Sequence, residues 1–340
     1  LLGTGRELKV NLDTKKDANT VTVGYVNPYH TPDGIRRELF LTSQEIDTSE
    51  SKTTEYEERK ASGGVGYKIP INETDYFNLG FELENLKLKS KTNTPDEIEA
   101  VINERPDGYN LVTTAGVSRD TLDHPFFPSR GLYRSMSMEV AAPGSEYQYY
   151  KLNLHNSVYL PLSERFTAKA SLDLGFGGGY GDSNETLEYT DARDAEGVKR
   201  TYRDGLPFFK HYLAGGSNSV RGYDSSSLGP LDSNSTPKPI GGDKRLLVGA
   251  ELLFPPFGGE GGNDKRFGLF LDGGMAFGQG RTRDGKAFPE SIDLSKLRYS
   301  AGIQFYWRSP IGAFCLWYAE PLNDKSGDKT DSFDITLNRC

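Results

Sequence analysis

Long hydrophobic runs are missing from this 340-residue chain. No stretch approaches the roughly 18 uninterrupted apolar residues of a membrane helix, so a helical membrane protein is excluded. Cysteine is scarce: Cys315 and Cys340 alone exclude a disulfide scaffold and a cysteine-based metal motif. Positive charge is in deficit, with 40 Lys+Arg against 48 Asp+Glu. That balance does not suit a nucleic-acid binder, whose affinity rests on neutralising phosphates. The opening Leu1-Leu2-Gly3-Thr4-Gly5 lacks the basic and apolar segments of a signal peptide, so any such segment is expected upstream or already removed. Apolar usage, with Gly counted in and Tyr out, is about 41% against a norm of about 45–50%. That is too little for a generous soluble core, while 11% aromatics is too many for a disordered chain.

What is present is alternation at period two. Phe166, Ala168, Ala170, Leu172, Leu174 and Phe176 interleave with Thr167, Lys169, Ser171, Asp173 and Gly175. The same pattern marks Leu8/Val10/Leu12, Val21/Val23/Tyr25, Phe77/Leu79/Phe81/Leu83, Leu152/Leu154/Asn156/Val158/Leu160, Leu316/Tyr318 and Phe333/Ile335/Leu337. Each run reads as a strand with one apolar and one polar face. Helical spacing never persists over three turns, so the chain is all-β.

Alternation alone leaves the inward face undecided. A soluble sandwich buries its apolar face, whereas a membrane barrel turns that face to lipid around a polar lumen. Connection lengths choose between them. Proline-bearing tight turns fall near 27–34, 69–75, 160–165 and 308–312, and long polar connections near 87–108, 177–206, 224–243 and 279–296. Short and long connections interleave, as on the two rims of an outer-membrane barrel. Aromatics crowd the strand ends, including Tyr25, Tyr29, Tyr67, Tyr76, Phe77, Phe126, Phe127, Tyr147, Tyr149, Tyr150, Phe254, Phe257, Tyr306 and Trp307. Such rings suit the lipid–water borders. About 14 to 16 strands of roughly 10 residues account for 1–340 as a single transmembrane antiparallel β-barrel. A sandwich would also need strand interiors free of ionisable residues, which Lys169 and Asp173 contradict.

The most specific string is Gly215-Gly216-Ser217-Asn218-Ser219-Val220-Arg221-Gly222-Tyr223, followed by Leu228-Gly229-Pro230. It places a guanidinium beside an aromatic ring in a long loop. An arginine at membrane depth needs a partner, and its planar fork suits a carboxylate. Glu251 and Asp272 lie on the polar parity of two later strands.

At this point the sequence resembles the BamA-type outer-membrane protein assembly factors. The resemblance rests on the Val220-Arg221-Gly222-Tyr223 motif, the opening Gly3-Thr4-Gly5-Arg6, and Asn27-Pro28-Tyr29. Toward the end it adds Arg298-Tyr299-Ser300-Ala301-Gly302, Ser309-Pro310-Ile311-Gly312 and Tyr318-Ala319-Glu320-Pro321. It implies a sixteen-stranded barrel whose sixth extracellular loop, here roughly 217–243, folds into the lumen. Arg221 would be the loop-tip arginine, with Glu251 and Asp272 as its carboxylate partners; simple loop anchoring is the plainer reading. The resemblance also implies residence in the Gram-negative outer membrane, unfolded β-barrel clients, accessory lipoproteins, and a lipid and lipopolysaccharide setting. No cofactor or metal is expected. The family's periplasmic POTRA domains, the main docking sites for those lipoproteins, are not in this sequence, which reads as a barrel-only fragment.

The function implied is insertion of β-barrel proteins through a lateral seam between the first and last strands. The first-strand edge, Glu7, Leu8, Lys9, Val10, Asn11 and Leu12, would template a client strand by β-augmentation. Phe333, Ile335 and Leu337 mark the other side of the seam. Gly3 and Gly5 cost entropy to order, a modest reason for weak pairing there. The last strand departs from the family pattern, with Asn338 where Gly is frequent and Cys340 where an aromatic is expected. Cys315 and Cys340 would be directly opposed if Gly327-Asp328 formed a two-residue turn, and diagonal with a turn one residue earlier. A disulfide between them is one possibility in an oxidising periplasm.

Two other classes stay in view. An outer-membrane hydrolase needs an activated nucleophile and base. Of His30, His124, His155 and His211, only His155 shares a polar face with a serine, Ser157, and the expectation is that the chain is not an enzyme. A passive pore or a two-partner secretion transporter, which shares the arginine loop motif, is the other. The acidic stretches 181–185 and 324–331 lack the spacing of a calcium loop and read as solvated loops.

Overall fold

The computed structural model describes residues 5–184, 186–190, 199–203, 205–256, 264–280, 288–310, 312–325 and 327–337. The strands in chain order are β1 (Glu7–Thr14), β2 (Ala18–Asn27), β3 (Arg36–Asp47), β4 (Glu57–Pro70), β5 (Asp75–Lys89), β6 (Asp107–Asp120), β7 (Gly131–Ala141), β8 (Tyr149–Pro161) and β9 (Thr167–Gly179). Then come β10 (Thr186–Thr190), β11 (Lys199–Arg203), β12 (Gly222–Tyr223), β13 (Lys244–Phe254), β14 (Lys265–Phe277), β15 (Arg298–Ser309), β16 (Gly312–Pro321), β17 (Thr330–Asp331) and β18 (Phe333–Leu337). Among the described residues one α-helix, α1 (Asp96–Glu104), interrupts the connection after β5.

One antiparallel sheet of 14 strands forms the wall, in the order β1 to β9, then β13, β14, β15, β16 and β18. Among the described residues the wall therefore has fourteen strands, the lower end of the 14 to 16 expected from the alternation, two fewer than the resemblance implies. β10 and β11 pair only with each other, and β9 pairs directly with β13 from Thr167–Leu253 to Phe176–Lys244. With that ladder filled, no further strand fits between them. The motif loop, residues 180–243, becomes the fifth long-rim connection of the described chain rather than the sixth.

The orientation argued from connection lengths holds. All four proline-bearing turns lie on one rim, and the long connections 90–106, 180–243, 278–297 and 322–332 lie on the other. By the usual asymmetry of these barrels the short-turn rim is periplasmic. Apolar side chains face outward along the wall: Leu41 is 67% exposed, and Leu12, Leu83, Leu271 and Ile303 are exposed with it. Buried positions on the opposite parity are polar, including Ser62, Glu84, Asn110, Ser157, Glu251, Asp272 and Gln304. A soluble protein would reverse this distribution.

An aromatic band runs along the short-turn rim. Phe166, Phe254, Phe267 and Phe305 stack in sequence with centroids 5.8, 6.0 and 5.0 Å apart. Trp307 stacks on Phe314 at 5.6 Å. Other rings expected at the border are elsewhere. Tyr147 and Tyr149 are fully buried under the long loops. Tyr306 faces the lumen, its hydroxyl on Glu251, while Phe126 and Phe127 lie against Arg308 and Arg266. Phe257 is outside the described residues.

The long loops are not simply solvated. Leu86 and Leu88 continue the lumenal parity of Glu84 at the top of β5 and pack on Ile98, Val101 and Ile102 of α1. Tyr202, Leu206, Phe208, Tyr212 and Ile240 complete this core. Polarity thus inverts above the membrane, where the loops form a dome with an apolar centre.

Candidate functional site

Arg221 reaches the lumen because a Gly-rich turn redirects the motif loop downward. Gly215, Gly216 and Gly222 adopt φ of +102°, +92° and +88°, a region that disfavours a Cβ. At Gly222 a Cβ would also press on Ala319 and Ser300 at 3.2 and 3.3 Å. Val220 and Tyr223 flank the arginine as fully buried anchors, and the Tyr223 hydroxyl donates to the Tyr299 carbonyl at 3.3 Å.

The guanidinium is met on every side. Nε and Nη2 donate to the two carboxylate oxygens of Asp272, both at 2.7 Å. The Arg221 amide adds a third bond to Asp272 at 3.2 Å. Nη2 also donates to Glu251 at 3.1 Å, and Nη1 to the Gln304 carbonyl oxygen. One face lies 3.5 Å over the Phe270 ring. Glu251 in turn accepts from Lys169 at 3.3 Å, from the Gln304 amide at 2.8 Å and from the Tyr306 hydroxyl at 3.3 Å. Two cations and two carboxylates therefore balance inside a largely buried cluster, which a lone charge there could not do.

Sheet register assembles these groups. Glu251 is the cross-strand partner of Lys169, and Asp272 sits between Gly249 and Ser300 on the neighbouring strands. The structure joins Val220, Arg221, Gly222, Tyr223, Glu251 and Asp272 in one site. Lys169, Phe270 and Gln304 were not singled out as members. Lys169 and Gln304 share the polar parity of their strands, which was the available signal.

The seam residues lie apart from this cluster. Glu7, Leu8, Lys9, Val10, Asn11 and Leu12 pair with β2 alone, and Leu8, Val10 and Leu12 are widely exposed. Phe333, Ile335 and Leu337 point outward from β18, which pairs with β16. Among the described residues no backbone ladder joins β1 to β18, so these are the two ends of the wall.

Neither of the two turns considered for the last hairpin sets its register. β17 is drawn to the motif loop, Asp328 pairs with Arg298, and Thr336 sits opposite Cys315. Direct opposition of residues 315 and 340 is thereby overturned by a four-residue change of register. Cys315 is disulfide-bonded; Cys340 lies outside the described residues.

His155 stands in a hydrogen-bonded row, Nδ1 2.8 Å from Asp173 and Nε2 3.0 Å from the Ser157 hydroxyl. All three are on regular strands whose amides serve the wall ladder.

An integral barrel with an arginine loop seated on lumenal carboxylates defines an outer-membrane β-barrel protein with a lumen-seated loop. The Omp85 superfamily domain matches residues 1–339, and the chain belongs to that superfamily. It is similar to the outer membrane protein assembly factor BamA of Neisseria meningitidis serogroup B, 29% identical over 366 residues covering 99% of this chain and 43% of that protein. BamA of Nitratidesulfovibrio vulgaris is 25% identical over 76% of this chain and 29% of its own length. The chain thus spans less than half the length of these curated relatives. In fold it resembles the crystal structure of Haemophilus ducreyi BamA lacking POTRA domains 1–3, with a TM-score of 0.82, 24% identity and coverage of 98% of this chain and 64% of that one. The expected resemblance to BamA-type barrels is borne out.

Proposed function

We propose that this barrel assembles and inserts β-barrel outer-membrane proteins, with unfolded clients entering at the edges of β1 and β18. The observation that carries this reading is the pair of wall ends that no ladder joins among the described residues, one of them the exposed strand Glu7–Thr14. An unpaired edge in lipid exposes backbone donors and acceptors and accepts an added strand. Folding clients supply the driving force by burying their own polar backbone, so no external energy source enters. The seated motif loop occupies the lumen and disfavours a passive pore. The accessory lipoproteins of the assembly complex and lipopolysaccharide are the further partners of this reading, which includes no catalysis.

The test uses full-length protein in liposomes with an unfolded small barrel as client. Client folding, read by heat-modifiable gel mobility, accelerates with the wild type. It slows with Arg221→Glu and with a covalently locked β1–β18 seam. Unchanged acceleration in both variants overturns the reading. Steady ion conductance without acceleration marks a pore, and export of one dedicated partner marks a secretion transporter. A fluorophosphonate probe leaves Ser157 unlabelled; labelling that disappears in His155→Ala would make the protein a hydrolase.

A further inference from the structure

Beyond the Arg221 cluster, the motif loop makes a second set of contacts, all to the segment leading into the last strand. β12 pairs antiparallel with β17, Gly222 opposite Asp331 and Tyr223 opposite Thr330. One residue on, the Asp224 amide donates to the Lys329 carbonyl at 2.9 Å. Four residues before the arginine, the Ser217 hydroxyl donates to the carboxylate of Asp334 on the lumenal side of β18. A packed path closes the circuit through the wall. Arg221 lies over Phe270, Phe270 packs with buried Trp317, and Trp317 is the cross-strand partner of Asp334.

These contacts matter because the ladder of β18 is short. Its ladder with β16 covers only residues 333–337 against 314–318, whereas β15 and β16 pair along 300–309 and 312–321. Its far edge bonds to no strand among the described residues. Its outward side chains Phe333, Ile335 and Leu337 are about half exposed and meet lipid rather than protein. The lumenal side is where protein holds it, and the group that reaches it there from the loop is Ser217.

We propose that Ser217 and Asp334 form a clasp through which the motif loop positions the terminal strand. With Arg221 seated on Asp272, the loop tip fixes β18; with the loop withdrawn, β18 loses that clasp and loosens along its short ladder with β16. Both are positioning residues. The inference rests on β1 and β18 being the seam, but its readout needs no client.

Hydrogen exchange of the peptide covering 330–337, in lipid-reconstituted full-length protein, tests it. Ser217→Ala and Asp334→Ala each speed exchange there by about tenfold, the scale of one hydrogen bond to a charged group. Exchange in β1, β2 and the 244–254 wall strand stays at the wild-type rate. Ser217→Thr, which keeps the hydroxyl, restores slow exchange. Unchanged exchange at 330–337 in Ser217→Ala, or failure of Ser217→Thr to restore it, overturns the clasp. Faster exchange with unaltered client folding leaves the clasp standing and counts against the assembly reading.

Discussion

Arg221 and Asp272 form a two-pronged ion pair, with Nε on one carboxylate oxygen and Nη2 on the other, each at 2.7 Å. The pair ties a loop from the extracellular side to the middle of the wall. Removing one member is costly because the other is left buried and charged. Asp272→Ala is expected to destabilise the barrel by about 3–5 kcal/mol. Arg221→Met combined with Asp272→Ala loses less than Asp272→Ala alone, since no charge is stranded. Midpoints of heat-induced mobility change in lipid compare the two directly.

Gly222 is held at φ +88° with Ala319 and Ser300 beside it. Gly222→Ala is expected to cost about 1–2 kcal/mol from the left-handed backbone alone, and more from the contacts. Chemical denaturation of the lipid-reconstituted barrel measures the loss. A variant as stable as wild type would mean that the turn relaxes.

Asp232 in the motif loop titrates where the dome's stability can report it. Burial pushes its carboxyl up to about 6, with Glu97 adding repulsion, against the lowering effect of the Lys238 and Asn234 amides and the Thr54 hydroxyl. A raised carboxyl binds its proton more tightly in the folded loop than in the unfolded chain, so it favours folding at low pH. That contribution fades as pH rises from about 4 to about 6, by about 3 kcal/mol at 1.36 kcal/mol per pKa unit. The thermal midpoint of wild type minus that of Asp232→Asn should fall across this window and then level off. A flat difference from pH 4 to 8 contradicts it.

Leu41 and Gln44 stand on opposite faces of β3, the first 67% exposed and the second bonded to Thr20 across the lumenal side at 3.2 Å. Leu41→Arg should cost about 2–4 kcal/mol in a bilayer, as a cation on a lipid face near mid-membrane does. Gln44→Arg should cost much less, because its face is wet. Folding free energies in lipid vesicles distinguish the faces, and equal penalties would contradict the assigned orientation.

Much of this was legible because strand geometry has a period of two. Leu8/Val10/Leu12 and the 166–176 run announced both their strands and their two faces. The turn and loop lengths then settled which face meets lipid. Arg221 advertised its need for carboxylates, and Glu251 and Asp272 were found by parity together with resemblance. The rule reaches its limit at the top of β5, where Leu86 and Leu88 are apolar yet lie on the lumenal parity, under α1. Alternation gives a face, not a height above the membrane.

The amino-acid order by itself determined the strand periodicity, the segregation of rims and the demand for buried counter-charges, since each depends on neighbours along the chain. Only the tertiary structure decided the fourteen-stranded wall, the Gln304 and Lys169 contributions, the four-residue register change of the final hairpin, and the bond between Ser217 and Asp334. Those outcomes depend on which distant segments win a shared ladder edge or a shared carboxylate. That competition is resolved in space, between groups 117 residues apart in the last case, and leaves no local trace.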